Sequence, residues 1–225
     1  MMKTLPGKRY EPETTALERQ ALCRLLKTAA ISGPHLEIGT AAGATLAEMI
    51  SSYSEPDRPK FVVVDTFEYF ENQLEAVKEN LAKVGADPET VEFRKGYSDE
   101  LFRLASANGD SFGFIFIDGN HKMDFVTRDL RWTRLLQEGG WLCLHDYSPV
   151  HPGVMLAVDR FLRRNKNYVK VDQCDSLMII KKDGPSDRNE IDQFDILHAT
   201  CLSALLHWKR LIRKRLGMQK FDQPV

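Results

Sequence analysis

Apolar residues along this chain follow two rhythms that take turns. Four short runs, His35–Ile38, Phe61–Val64, Phe112–Ile117 and Trp141–Leu144, are continuous and rich in β-branched or aromatic residues, as strands buried on both faces are. Val91–Lys95 alternates weakly and makes a further strand. Between these lie stretches with helical spacing. Leu17, Ala21, Leu25 and Ala29 follow a Thr15/Glu18 capping box. Ala44–Ser52 is a short helix, and Glu71–Lys83 carries Leu74, Val77, Leu81 and Val84 as its inner stripe before Gly85. Asp99–Ala107, capped by Ser98 or Asp99, and Met123–Gln137, stopped by the turn Glu138-Gly139-Gly140, continue the series, and Val154–Arg164 closes it.

Strand and helix in alternation predict an α/β doubly wound, mostly parallel sheet with helices on both faces. Tyr168–Val171 and Leu177–Ile180 are separated only by Asp172–Ser176, too short for a crossover helix, so the last two strands form an antiparallel pair. A polar arm holding Pro6, Gly7 and Pro12 precedes the first helix. The polar linker Lys182–Asp192 leads to a last helix, Phe194–Met218. The expected organisation is residues 1–30 as arm and helix, 31–183 as the main domain, and 184–225 as linker and C-terminal helix.

Composition narrows the function. With 31 basic and 32 acidic residues, no global positive field points to nucleic acid. Cys23, Cys143, Cys174 and Cys201 lack metal spacing and read as core thiols of a reducing compartment. No apolar span reaches the roughly 20 residues a bilayer needs, and the start has no apolar signal core. A cytoplasmic protein acting on a small molecule is expected.

The chemistry gathers where strands end. The first runs into Glu37-Ile38-Gly39-Thr40-Ala41-Ala42-Gly43-Ala44-Thr45, a turn of small residues in which a ligand can approach bare backbone, followed by the free amides of a helix start. The second ends in Asp65, placed to accept hydrogen bonds from ribose hydroxyls at about the separation expected of nucleotide-binding folds. The fourth ends in Asp118-Gly119-Asn120-His121 and the fifth in His145-Asp146, so ionisable groups converge on one rim. Asp124 and Asp129 read as cap and surface residues, and Trp132 and Trp141 as packing.

E-x-G-x-x-x-G resembles motif I of the class I S-adenosylmethionine (SAM) methyltransferases, and the terminal antiparallel pair resembles their seven-stranded sheet. With HLEIGTAAG and VVVD, the segment FIFIDGNHKMDFVTRDLRWTRLLQEGGWLCLHDY resembles the group that includes macrocin-type sugar O-methyltransferases and cephalosporin-hydroxylase-like proteins, over roughly Glu37–Lys181. The resemblance implies a methyltransferase acting on a hydroxyl of a sugar, saccharide or secondary metabolite. It assigns Glu37, Gly39, Gly43 and Thr45 to the methionine part of SAM, Asp65 to its ribose and Ser98 to the adenine side, with Thr40, Ala41, Thr66 and Asp118 as further cofactor-binding positions and Asp118 also among the catalytic ones. In metal-dependent relatives the strand-end positions hold magnesium. Here Asp118, His145 and Asp146 stand there, and a histidine among them turns preference toward manganese- or iron-like ions or marks a metal-free site.

Methyl transfer needs alignment of donor and acceptor and a base for the hydroxyl proton. His121 is the first candidate base and His145 the second. Two other functions compete: a nicotinamide-dependent oxidoreductase, which the missing third glycine and the terminal pair argue against, and a non-catalytic nucleotide-binding module. In the last helix Leu197, Cys201, Leu205, Trp208 and Ile212 share a face, with Ala204, Leu211 and Leu216 extending it. Lys209, Arg210, Arg213, Lys214 and Arg215 crowd its end. Such a face packs on the domain or in a homodimer, or lies at an anionic membrane surface.

Overall fold

The structure, a computed structural model, describes residues 12–185 and 190–215. The arm before Pro12, the middle of the linker and Leu216–Met218 of the last helix lie outside the described residues. Seven strands form one sheet in the order β3-β2-β1-β4-β5-β7-β6. β1 (His35–Ile38), β2 (Phe61–Asp65), β3 (Val91–Lys95), β4 (Phe112–Ile117) and β5 (Leu136–Leu144) run parallel. β7 (Leu177–Lys182) pairs antiparallel with β5 and with β6 (Tyr168–Cys174). The predicted doubly wound sheet with its antiparallel end is therefore the observed one.

All of β1 and β4 and the first four residues of β2 are buried, which explains the apolar runs of β2 and β4; β1 buries His35 and Glu37 as well. One core cluster, around Leu36, Val62, Ile115, Trp132 and Phe161, lies on one face, and another, around Leu22, Leu46, Val63, Phe114 and Phe116, on the other. The helices are α1 (Ala16–Thr28), α2 (Ala44–Ile50), α3 (Gln73–Lys83), α4 (Ser98–Asn108), α5 (Met123–Asp129), α6 (Pro152–Arg164) and α7 (Gln193–Arg215). Among the described residues no helix is long and apolar enough to cross a membrane.

Several elements depart from the pattern reading. The helix after β4 is α only to Asp129 and tightens into a 3-10 segment, Leu130–Leu135, and β5 begins at Leu136 with a register shift opposite Phe112 and Phe114. The glycine pair Gly139-Gly140 lies within that irregular strand and is not a turn ahead of it. β6 runs on to Cys174, so the hairpin loop is shorter than Asp172–Ser176. α4 is capped by Tyr97 without a side-chain bond, not by Ser98 or Asp99. In α1 the buried face is Glu18, Ala21, Leu22 and Leu26, while Leu17 is exposed. Cys201 is exposed and not core.

α7 packs through its other side. Ala199 is buried, Asp195 pairs with Arg160 and Arg164 of α6, and the Ser203 hydroxyl bonds Asp124 at 2.7 Å. The expected apolar stripe faces outward: Leu197, Leu205, Trp208 and Ile212 are all exposed. Packing of that stripe on the chain's own domain is excluded. Of the basic end, the side chains of Arg210, Arg213 and Lys214 lie outside the described residues.

Candidate active site

The glycine turn is held from beneath by polar side chains. Gly39 has φ of +80°, and a Cβ there would collide with the Asp118 carbonyl, so the loops after β1 and β4 touch only because that position is glycine. From α3, Gln73 Nε2 donates to Ala41 O at 2.9 Å and Asn80 Nδ2 to Ala42 O at 2.8 Å. Both amides are buried. The inner face of α3 is thus partly polar, against the all-apolar stripe expected, and Val84 is exposed.

Asp65 ties two loops together. Its Oδ2 accepts from Thr40 N at 2.9 Å and its Oδ1 from Phe67 N at 2.6 Å, with Gln73 Nε2 at 3.3 Å. Burial raises its pKa against these bonds. It stands at the end of β2 beside the turn, with Thr66 half-buried next to it. Thr45 Oγ1 lies 3.0 Å from Thr14 Oγ1, so the segment ahead of α1 crosses the turn.

Glu37 lies deepest. It is 1% exposed, and its Oε2 has no hydrogen-bond partner. Burial drives its pKa well up, the Thr40 hydroxyl works against that, and the Asp118 and Asp65 carboxylates add to it. A hollow opens beside it, lined by Glu13, Thr40, Ala41, Ala44, Thr45 and Asp118. An orphaned buried acceptor in such a place calls for a cationic ligand group, and the α-ammonium of a bound amino acid fits.

Ser98 turns inward. Its Oγ accepts from Trp132 Nε1 at 2.8 Å and bonds the buried Asp129 carboxyl, whose pKa burial pushes up to about 7. Asp129 is therefore an interior acid, not a surface one. Trp132 is buried packing, as expected.

At the rim the structure brings Asp118, His121, His145 and Asp146 together and adds Glu18 and His151. His145, 8% exposed, has Nδ1 3.0 Å from Asp118 Oδ1 and 3.3 Å from Asp146 Oδ2, and Nε2 3.1 Å from Glu18 Oε2. Burial opposes its charge, but hydrogen bonds to Asp118, Asp146 and Glu18 win and push its pKa up to about 12. Both ring nitrogens are engaged. A ring held charged on both sides argues against His145 as the second candidate base.

His121 differs. Its Nε2 lies 2.7 Å from Asp146 Oδ2 and its ring is part exposed; the hydrogen bond to Asp146 outweighs burial and raises its pKa. With Nε2–H on Asp146, Nδ1 is the basic atom. His151 stands edge-on to it, ring centroids 4.3 Å apart, with its Nε2 3.5 Å from Asp146 Oδ1. Asp146 has φ of +60°, a strained conformation for a residue with a side chain, at the point where its carboxylate serves three imidazoles. Gly153 on α6 lets that helix approach, since a Cβ would strike the His121 carbonyl.

Among the described residues two sets of side chains could reach one ion: Asp118, His145 and Asp146, and His121, Asp146 and His151. The first does not fit magnesium. A hard ion takes oxygen ligands, and here one position is an imidazole whose protons are held by three carboxylates. The second set, two imidazoles and a carboxylate, suits borderline ions.

Glu18 and His151 were not among the expected site residues. Glu18 had a sufficient local explanation as the capping-box acid. His151 lies outside both rim motifs, and its position at the α6 N-cap was its only signal.

The strand order, the antiparallel end and a site at the carboxyl edge define the class I methyltransferase fold. Residues 36–147 belong to the family described as "methyltransferase domain", and the chain is by family a class I methyltransferase. No curated protein matches the chain. Solved structures of similar fold include an O-methyltransferase of Streptomyces achromogenes involved in tomaymycin synthesis, in complex with SAM (18% identity, 76% of this chain and 82% of that one, TM-score 0.57). Another is an O-methyltransferase from Bacillus cereus with S-adenosylhomocysteine (SAH) (15%, 76% and 82%, 0.60). A third is a TDP-rhamnose 3'-O-methyltransferase of calicheamicin biosynthesis (18%, 73% and 77%, 0.58).

Proposed function

We propose that this chain is a SAM-dependent O-methyltransferase acting on a hydroxyl of a small molecule, a sugar, saccharide or comparable secondary metabolite. The observation that carries the reading is the partnerless, buried Glu37 Oε2 at the floor of the turn between β1 and α2, a counter-charge without a cation. SAM supplies an ammonium for Glu37, and ribose hydroxyls reach the loop that Asp65 braces. The sugar class draws support from the similar fold of the rhamnose methyltransferase.

Methyl transfer is an in-line displacement. The acceptor oxygen attacks the methyl carbon, the carbon–sulfur bond breaks with its electron pair going to sulfur, and the hydroxyl proton leaves to a base. SAM brings its own leaving group, so the chain's work is to align the two molecules and take the proton. His121 is the base: Asp146 orients its ring and stabilises the imidazolium that forms, as a carboxylate does in a histidine dyad. Asp118 lies between the donor hollow and the rim, lining the first and bonded to His145. The strand-end set does not fit magnesium, and the proton is taken here by a side chain of the chain itself.

The outward stripe of α7 supports self-association as a homodimer. An anionic membrane surface is the other outcome that its test can return. Incubation with labelled SAM and cell extract, with and without chelator, followed by mass spectrometry of the products, tests the activity. Methylated hydroxyl compounds formed equally in both arms are expected, and no SAH binding and no product would sink the reading.

A further inference from the structure

Glu18 sits on α1, outside the strand ends where the chemistry gathers, yet it is 1% exposed and reaches His145 across the site. It closes the capping box of α1, its Oε2 accepting from Thr15 N at 2.7 Å. A capping acid normally stays at the helix surface and finds its second oxygen in water. Here Oε1 accepts from both Ser176 N at 2.8 Å and Ser176 Oγ at 2.7 Å, in the turn between β6 and β7. Three donors beside the histidine hold the carboxylate charged, with its pKa lowered to about 2 although burial works the other way.

A buried carboxylate with this many fixed donors cannot rotate, so whatever it grips is fixed too. What it grips is Nε2 of His145, whose Nδ1 faces Asp118 and Asp146. Without Glu18, the ring has one anchor side and is free to turn about its χ2 axis, so its contacts with Asp118 and Asp146 are no longer fixed.

We propose that Glu18 is a positioning residue of the active site: from α1 it pins the His145 ring between Asp118 and Asp146. Its catalytic meaning rests on the proposed methyl transfer, since Asp146 in turn orients His121; the geometry of the pin stands apart from that reading. The helix before the first strand is then part of the site.

The test uses the full chain labelled with 15N-histidine. In the wild type both ring N–H protons of His145, assigned by their disappearance in His145→Gln, are expected downfield of the amide envelope and slow to exchange with water. Glu18→Met keeps the length of the side chain and removes both carboxylate oxygens; it should lose the Nε2–H signal and shift the Nδ1–H signal, with SAH affinity by calorimetry kept within about twofold. Thr15→Ala weakens the helix cap but leaves Glu18 in place, and should keep both signals. Unchanged signals in Glu18→Met would overturn the proposal, and so would their loss in Thr15→Ala, which would trace the effect to docking of α1. If Glu18→Met does not fold, Ser176→Ala, which removes one of the carboxylate's donors, should broaden or shift the Nε2–H signal, and no change there overturns the idea as well. SAH binding to the wild type is read in the same series: its absence sinks the methyltransferase reading while leaving the ring signals to decide on Glu18.

Discussion

Replacing Glu37 by Gln should move stability and affinity in opposite directions. In the free protein the Glu37 carboxyl is buried with Oε2 unpartnered and its pKa raised, chiefly by burial. The native state therefore holds this proton more tightly than the unfolded chain does. By linkage, stability declines as pH rises from the ordinary carboxylate range through the raised folded value. At neutral pH the unfolded carboxylate must take up that proton in order to fold, at ~1.4 kcal/mol for each pH unit by which burial raises the pKa, and Gln, of nearly the same volume, carries no such cost. The free variant should thus gain about 1–3 kcal/mol near neutral pH, at roughly 2–4 °C of Tm per kcal/mol for a chain of this size. The gain should grow with pH. In the complex the ammonium of SAM or SAH meets the carboxylate, a bond to a charged group worth ~1.5–3 kcal/mol. Its loss should weaken SAH binding roughly ten- to hundredfold. Scanning calorimetry across pH and titration calorimetry with SAH measure the two effects. A variant that melts no higher than the wild type and binds SAH equally well would refute the assignment of Glu37 as counter-charge.

Asp65→Ala should cost both stability and SAH affinity, each by about 1–3 kcal/mol, because the carboxylate braces Thr40 and Phe67; unaltered affinity with a lowered Tm would leave it a purely structural brace. His121→Ala should lower turnover about 10²-fold or more with SAH affinity retained. As the base must be neutral and Asp146 raises its pKa, wild-type turnover should climb with pH through a value above that of an ordinary histidine, and Asp146→Asn should move that limb to lower pH; a flat profile would count against His121. Chelator should leave turnover unchanged, and an enzyme silenced by it and restored by magnesium would reverse the account of Asp118, His145 and Asp146. Trp208→Glu with Leu205→Glu, on the exposed stripe of α7, should turn a dimer into a monomer in sedimentation; loss of binding to anionic vesicles in place of that change would assign the stripe to a membrane.

Pattern reading recovered the strands well, because β2 and β4 are buried on both faces and carry almost only apolar residues, while in β1 the buried His35 and Glu37 interrupt the run. It failed where one residue serves two ends. Gln73 and Asn80 carry polar side chains and so counted as the outer face of α3, yet they turn inward to hold the carbonyls of the glycine turn. Glu18 had a complete local explanation as a cap, and only the three-dimensional arrangement brings it to His145. Periodicity put Leu17 inside and could not see that Glu18 draws the helix round. In α7 the apolar stripe was read correctly as a stripe, but the side that docks is chosen by Asp195, Ala199 and Ser203, whose partners on α5 and α6 carry no periodic signal. His145 and His121 were found because they lie in the segments just after strand ends, and His151 was missed because it does not. That His145 is held at both ring nitrogens while His121 bonds Asp146 through one depends on distances that no spacing encodes.

The irregular edge of the sheet bears on how the molecule behaves in a crowded solution. β6 borders the sheet beyond β7, and its register slips between Lys170 and Asp172. Val169 and Val171 are exposed there, the composition of a strand that would welcome a neighbour. The slip kinks the row of free backbone groups, and the charges of Lys170 and Asp172 flank the exposed valines, so a second chain cannot add in register without burying them. On the opposite border, Glu92, Arg94 and Lys95 of β3 do the same by charge alone. An open sheet of seven strands has two sides from which fibrils can grow, and this chain blunts both within its own sequence.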